Sequence, residues 1–153
     1  MPSEGDAAPE IELADDRGNP FRLSDLRGKN VILYFYPKAN TSGCTKEACA
    51  FRDNTKKFTK ADTAIVGVSP DKSAAQASFK AKYDLPFTLL ADTAHAAAVA
   101  WGVWKEKSMY GRKYMGIERT TFLIDKRGRI ARIFPKVKIE GHAEEVLEAL
   151  AAL

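Results

Sequence analysis

Cysteine and histidine are scarce in this sequence, which limits the redox and metal sites that it can build. The 153 residues include two cysteines and two histidines. Two cysteines are too few for a disulfide scaffold, and an iron–sulfur cluster needs more of them. His95 and His142 lack the close pairing that is usual in zinc sites. We therefore expect no metal or cofactor, and we interpret the two cysteines as catalytic or transiently bonded.

Long apolar runs, a leader segment and a concentration of one charge are also missing. No stretch is apolar enough to span a membrane, and the opening residues Met-Pro-Ser-Glu-Gly-Asp do not resemble a signal peptide. We expect a cytoplasmic location without membrane binding. The 24 basic and 20 acidic residues are spread along the chain, with no basic block among aromatic residues. Nucleic-acid binding is therefore not expected.

Internal repeats, low-complexity tracts and linkers are absent as well. With 45% apolar residues, 153 residues are enough for one well-buried core and too few for two ordinary domains. We predict that residues 1–153 form a single domain, and we expect a monomer.

The order of predicted elements indicates an α/β protein. The apolar runs and turn residues predict, in order, a hairpin over 10–23, a strand over 30–36, a helix over 43–60, a strand over 63–69, a helix over 73–83, a strand over 87–90, a helix over 92–101, a polar stretch without an assigned element over 105–118, a hairpin over 120–134 and a helix over 143–150. Ser73 and Gln76 predict a capping box. Right-handed crossovers would make the early strands parallel. The pattern is that of a thioredoxin-like fold, a mixed central sheet flanked by helices, with an N-terminal β-hairpin extension.

Both cysteines lie between Tyr34 and Asp53, in a predicted strand, loop and helix. The apolar strand ends at Pro37, and a short polar loop leads into helix-favouring residues. Cys44 is thereby placed in the first turn of the helix, where free backbone N–H groups and the helix dipole favour a thiolate. Either Thr41 or Ser42 can cap this helix.

Cys49 follows Cys44 by five residues, and this spacing constrains any bond between them. On an unbroken helix the two Cα atoms would lie roughly 8 to 9 Å apart, whereas a disulfide needs them within about 7 Å. The first helical turns must therefore unwind if the two cysteines are to bond. Cys44 shares a mostly apolar stripe with Phe51, whereas Cys49 lies on the side of Arg52 and is expected to be less firmly packed.

The arrangement of motifs resembles the peroxiredoxins, in particular the bacterioferritin comigratory protein or peroxiredoxin Q subgroup. Pro37, Thr41 and Cys44 have the spacing of the family's Pro-x-x-x-Thr-x-x-Cys motif, and Cys49 matches the resolving cysteine of the subgroup. Residues 115–125, Met-Gly-Ile-Glu-Arg-Thr-Thr-Phe-Leu-Ile-Asp, are similar to the segment that carries the family's active-site arginine.

Two further features belong to this comparison. Residues 141–147 resemble the closing helix of the subgroup. Serine stands at position 42, where relatives often carry proline. Because serine constrains φ less than proline, a looser loop is expected, with activity retained.

The resemblance implies an antioxidant, thioredoxin-dependent thiol peroxidase that reduces hydrogen peroxide and organic hydroperoxides. The Cys44 thiolate would attack the O–O bond and become a sulfenic acid, which would condense with Cys49 to an intramolecular disulfide. Thioredoxin or a similar thiol reductant would restore both thiols. Arg119 would stabilise the thiolate and the leaving oxygen, while the Thr41 hydroxyl would donate to and accept from the peroxide. Pro37 would shape and dry the pocket wall.

Several alternatives remain open from the residues. A protein-disulfide oxidoreductase usually carries Cys-x-x-Cys, and the longer gap here argues against that class. A redox sensor or holdase would share an oxidised Cys44 but not its rapid recycling. Glu47, read as lying in the first helical turn, would either orient Arg119 or interact with the helix dipole. Four aromatic residues either rim the pocket or pack elsewhere, namely Trp101, Trp104, Tyr110 and Tyr114.

Overall fold

A seven-stranded mixed sheet lies at the centre of the computed structural model, which describes all residues 1–153. In chain order the strands are β1 (Glu12–Asp15), β2 (Pro20–Arg22), β3 (Asn30–Phe35), β4 (Thr63–Ser69), β5 (Thr88–Ala91), β6 (Trp104–Met109), β7 (Arg112–Ile117), β8 (Thr120–Ile124) and β9 (Ile130–Phe134). The helices are α1 (Ser42–Asp53), α2 (Thr55–Lys60), α3 (Ser73–Tyr83), α4 (Ala96–Ala100) and α5 (His142–Ala151), with a 3₁₀ turn at Leu23–Leu26. No helix has the length and apolar character needed to cross a membrane.

The strand order of the sheet is β2-β1-β5-β4-β3-β8-β9. β3 pairs in parallel with β4, and β4 with β5, whereas β8 runs antiparallel to both β3 and β9. The predicted mixed sheet with flanking helices is confirmed. The N-terminal hairpin is part of this sheet, because β1 pairs antiparallel with β5.

The central strand β3 is buried on both faces, as its continuous apolar sequence predicts. Alternate side chains enter two separate layers, because successive residues of a strand point to opposite faces. Ile32 and Tyr34 join a layer that also contains Cys44 and Phe51. Val31, Leu33 and Phe35 join the opposite layer. The helix that carries the cysteines is thus packed directly on the middle of the sheet.

The single helix predicted over residues 43–60 is wrong, since α1 ends at Asp53 and α2 begins at Thr55. Asn54 separates them, with a backbone N–H that bonds the Phe51 carbonyl at 3.2 Å. Its side-chain amide donates to the Ala50 carbonyl at 2.8 Å. Asparagine competes in this way for backbone acceptors, which explains the break.

The polar stretch over residues 105–118, for which the sequence predicts no helix or strand, forms the β6–β7 hairpin. Tyr110 and Gly111 make its turn with φ values of 52° and 78°, as a two-residue hairpin turn of type I′ requires. The sequence does not predict these two strands, because apolar and polar residues do not alternate along them and most of their side chains are exposed. Only the base of the hairpin packs on the core, through Trp104 and Ile117.

The predicted capping box at Ser73 and Gln76 is wrong. Lys72 is the N-cap residue of α3, and it makes no side-chain capping bond. Gln76 is instead buried, where its amide oxygen accepts a bond from the Tyr36 hydroxyl at 2.7 Å and its amide nitrogen donates to the Leu90 carbonyl at 2.8 Å. This network holds the end of the central strand, immediately before Pro37.

Candidate active site

Cys44 is the third residue of α1 and is buried, with 1% of its surface exposed. The chain leaves the end of β3, passes through the loop of residues 37–41 and enters the helix at Ser42. Thr41 is the N-cap residue, with an extended backbone. The first N–H groups of a helix have no acceptor within it, so the thiol lies where a negative charge is favoured.

Arg119 lies beside this thiol because of the pairing of two strands. β8 runs antiparallel to β3 with Thr120 opposite Phe35. The residue before Thr120 therefore extends past the carboxyl end of β3, toward the start of α1. Arg119 Nη2 donates to the Cys44 sulfur at 3.3 Å, and its backbone carbonyl accepts a bond from the Val137 N–H at 2.9 Å.

Gly43 lies close to this arginine. A Cβ at position 43 would lie 3.4 Å from Arg119 Nη2 and 3.3 Å from Ile139 Cδ1. A side chain there would need the Ile139 side chain to shift by a few tenths of an ångström and would touch the guanidinium.

Glu47 forms an ion pair with the same guanidinium, since Arg119 Nη1 donates to Glu47 Oε1 at 2.6 Å. Glu47 lies in the second turn of α1 and not in the first, three residues after Cys44 and on the same side of the helix. Its other carboxylate oxygen is buried without a hydrogen bond. Of the two interpretations of Glu47, the geometry favours the one in which it orients Arg119.

Burial and charge act against each other in this group. Burial raises the pKa of Glu47 to about 7, although the Arg119 charge pulls it down. For Arg119, burial lowers the pKa, but the neighbouring Glu47 and Cys44 outweigh it, and the net shift is upward. Arg119 thus stays a cation beside the sulfur.

A pH dependence of stability follows from Glu47. A carboxyl group whose pKa lies near 7 in the folded protein and at its usual 4.5 when unfolded binds a proton more tightly in the folded state. Its contribution to stability is full below pH 4.5 and is lost as the pH rises through 7. Glutamine at position 47 cannot ionise. The melting temperature of Glu47→Gln minus that of the wild type should therefore increase by at least about 2–4 °C as the pH rises from ~5 to ~8.

Thermal unfolding followed by circular dichroism across this pH range measures the effect. Glu148→Gln, which removes an exposed carboxylate from α5, controls for the general loss of one negative charge. A difference between wild type and Glu47→Gln that stays constant with pH would contradict the raised pKa.

Two other predicted site residues, Thr41 and Pro37, lie in the loop between β3 and α1. The Thr41 hydroxyl donates to the Lys38 carbonyl at 2.8 Å, and α1 has no side-chain cap, so the expected capping by Thr41 or Ser42 is wrong. Pro37 is half-buried and follows Tyr36 directly after β3.

Cys49 is half-buried, and both cysteines are free thiols. Residues 42–53 form one continuous helix, so the two sulfurs belong to the same unbroken α1. The neighbouring Arg52 side chain donates to the Tyr83 carbonyl at 2.8 Å, which ties this part of α1 to the end of α3.

Both histidines have side-chain partners of their own. His142 is buried at the start of α5, where its ring nitrogens contact the Thr121 hydroxyl at 2.8 Å and the Glu145 carboxylate at 2.6 Å. His95 stacks on Trp104, with ring centroids 3.9 Å apart. No group of three or more histidine, cysteine, aspartate or glutamate side chains is placed to hold a metal ion.

The four aromatic candidates for the pocket rim are not brought together. Trp101 is buried in the layer opposite Cys44, while Tyr110 and Tyr114 are exposed on the β6–β7 hairpin. Sequence reasoning also missed Lys107 on β6, whose pKa is lowered by burial and by the charge of Arg119. No spacing signal could have found it, because the hairpin that places it was itself not predicted.

Comparison with known proteins finds relatives along almost the whole chain. The model of the AhpC/TSA family matches residues 4–133. Peroxiredoxin Bcp of Bacillus subtilis (strain 168) is 51% identical over 146 residues, which cover 95% of this chain and 93% of that protein. The structure of Xanthomonas campestris Peroxiredoxin Q has a TM-score of 0.89 at 40% identity and covers 93% of this chain and 90% of that chain.

A second Xanthomonas campestris structure is that of its bacterioferritin comigratory protein, studied for alkyl peroxide reduction. It has a TM-score of 0.90 at 38% identity and covers 96% of this chain and 98% of that chain. The likeness therefore extends over nearly the whole fold.

Proposed function

This chain is a peroxiredoxin of the AhpC/TSA family, and hence a peroxidase, and we propose that it works through a Cys44 sulfenic acid and a Cys44–Cys49 disulfide that thioredoxin reduces. The observation that carries this proposal is the 3.3 Å hydrogen bond from Arg119 to the Cys44 sulfur at a helix N-terminus. A buried sulfur next to a cation and free N–H groups suits a thiolate nucleophile.

In the first step the Cys44 thiolate would attack one oxygen of the hydroperoxide. An S–O bond forms with an electron pair from sulfur, and the O–O bond breaks to release an alkoxide or hydroxide, which takes up a proton. Arg119 would stabilise the charge that moves from the sulfur to the leaving oxygen. Thr41 would supply a hydroxyl at the edge of the pocket, and Pro37 would line it beside the end of β3.

In the second step the Cys49 thiolate would attack the sulfenic sulfur, form the disulfide and release hydroxide, which is protonated to water. Because both cysteines belong to one continuous helix, the first turns of α1 must unwind before the two sulfurs meet. That unwinding would also remove Glu47 from Arg119. A dithiol reductant such as thioredoxin would then supply two electrons and restore both thiols.

Hydrogen peroxide and organic hydroperoxides are the proposed substrates. The study of alkyl peroxide reduction by the Xanthomonas campestris relative supports the organic class.

A sheet that runs from β1 to β9, with α5 packed on α1, supports one domain over residues 1–153. We propose that this domain acts as a monomer. Two free thiols suit a reducing compartment, which supports a cytoplasmic location.

Steady-state kinetics with thioredoxin, thioredoxin reductase and NADPH test this proposal. The wild type should consume peroxide catalytically and should fail to reduce insulin disulfides at a comparable rate. Arg119→Leu should lower kcat/KM for peroxide by about 10²–10³, as expected for loss of one group that stabilises the transition state. Peroxide consumption that stops after one equivalent in the wild type would instead indicate a redox sensor.

A further inference from the structure

The β6–β7 hairpin carries an unusual share of the exposed apolar surface. Seven large apolar side chains are exposed in the whole chain, and four of them lie on this hairpin, which is why it stands out as an interaction surface. These four residues are Met109, Tyr110, Tyr114 and Met115. Tyr110, at the turn, is 99% exposed and makes the tip of the hairpin.

The charges of the hairpin are divided unequally between its two faces. Residues opposite one another in an antiparallel pair point to the same face. The pairs Lys105–Gly116, Lys107–Tyr114 and Met109–Arg112 therefore make one face. We call this set of six residues the basic face. It contains three cations and no carboxylate.

The opposite face is balanced by comparison. It contains Glu106 and Lys113, whose charged atoms lie 3.6 Å apart in an ion pair. At its base, Trp104 and Ile117 pack against the core. The unpaired positive charge of the hairpin thus belongs to the basic face alone.

The basic face lies next to the segment that carries Arg119. The Lys107 side chain lies across Gly116, where a Cβ would come within 3.3 Å of Lys107 Cδ. Burial, together with the charge of Arg119, lowers the pKa of Lys107. Along the chain, β7 leads through Glu118 directly to Arg119.

We propose that the basic face is the docking surface for an acidic protein reductant, which rests on it while its dithiol reaches the Cys44–Cys49 disulfide. This inference rests on the proposed disulfide mechanism. Any protein that exchanges a disulfide with Cys44 must cover the surface around the start of α1, and the hairpin of the basic face leads, two residues after β7, to the Arg119 that contacts this sulfur. A partner with carboxylates around its dithiol complements Lys105, Lys107 and Arg112, and its apolar residues meet Met109 and Tyr114.

The test is the double charge reversal Lys105→Glu/Arg112→Glu, assayed with thioredoxin as the reductant. Both side chains are exposed, so folding should be preserved, and the neutral variant Lys105→Gln/Arg112→Gln provides a milder step. We expect kcat/KM for thioredoxin to fall by about 10-fold or more, and its dependence on ionic strength to weaken, because the steering charges are lost. The rate of Cys44 oxidation by hydrogen peroxide and turnover with dithiothreitol should stay unchanged.

Lys113→Glu is the matched control, since it reverses one charge on the opposite face of the same hairpin. It should leave kcat/KM for thioredoxin within about 2-fold of the wild type. An equal loss in Lys113→Glu would show that net charge and not the basic face matters, and would overturn the proposal.

Four other outcomes are separable. Unchanged thioredoxin kinetics in the double variant would overturn the docking surface while leaving the peroxidase intact. A slower reaction with peroxide would assign the basic face to the substrate instead. Binding of the wild type to anionic phospholipid vesicles that the double variant loses, with unchanged thioredoxin kinetics, would assign it to a membrane. Failure of the wild type with thioredoxin, despite turnover with dithiothreitol, would reject thioredoxin dependence itself.

Discussion

Cys44→Ser is expected to reduce peroxide consumption by at least about 10⁴-fold, the scale seen when an enzyme loses its nucleophile. A serine hydroxyl reacts only when a base removes its proton. The two histidines are engaged elsewhere, His142 with Thr121 and Glu145, and His95 on Trp104. Arg119 would donate to the hydroxyl oxygen but cannot accept its proton. Stopped-flow measurement of peroxide consumption by the reduced protein checks this result.

The variant should still fold. Cys44 is buried in the layer that packs on β3, so a hydroxyl there would cost about 1–3 kcal/mol if left unpaired, but Arg119 offers it a hydrogen bond. Thermal unfolding of Cys44→Ser checks that the variant is folded. Cys49→Ser carries the same substitution at the other cysteine and is the matched control for peroxide consumption. Peroxide reduction by Cys44→Ser within about 10-fold of the wild type would place the nucleophile elsewhere.

Cys49→Ser is expected to consume one equivalent of peroxide at the wild-type rate and then stop. The Cys44 sulfur and its partner Arg119 are untouched by this change, so the first step should proceed normally. Without an internal thiol, the sulfenic acid must wait for an external one. Turnover with thioredoxin should therefore fall by at least about 10²-fold, because an intramolecular reaction is replaced by an intermolecular one.

Dimedone reacts with sulfenic acids, and mass spectrometry then locates the adduct. We expect the adduct on oxidised Cys44 in the Cys49→Ser protein and little of it in the wild type. Dithiothreitol should restore turnover of the variant, since a small thiol can reach a sulfenic acid directly. Full turnover of Cys49→Ser with thioredoxin would show that another thiol resolves the intermediate. The variant thus separates the reaction of Cys44 with peroxide from the formation of the disulfide, for which α1 has to unwind.

Local patterns were sufficient wherever neighbours in sequence decide the structure. The apolar run of the central strand and the Pro37 loop placed Cys44 at a helix start, and the structure puts it in the first turn of α1. Local patterns failed at Asn54, where a side-chain bond to the Ala50 carbonyl accompanies the end of the helix. They failed again at Gln76, whose spacing from Ser73 suits a cap but whose amide is buried under Tyr36.

The site itself depends on distant residues. Cys44 and Arg119 are 75 positions apart, and the antiparallel pairing of β3 with β8 brings them within 3.3 Å. The resemblance to peroxiredoxins named Arg119 from its motif, but nothing in its spacing from Cys44 predicted the contact. Lys107 had no motif at all. It lies on a hairpin whose strands lack the apolar alternation by which strands are predicted.

By itself, the sequence determined the order of the main strands and helices, and its motifs identified the family to which the chain belongs. The elements follow from residue types and short spacings, which local sterics and apolar periodicity translate directly into structure. Only the tertiary structure decided which charges meet the sulfur, that Glu47 is buried against Arg119 and that one face of the hairpin is purely basic. Burial and strand register set these features, and both depend on residues far apart in the chain.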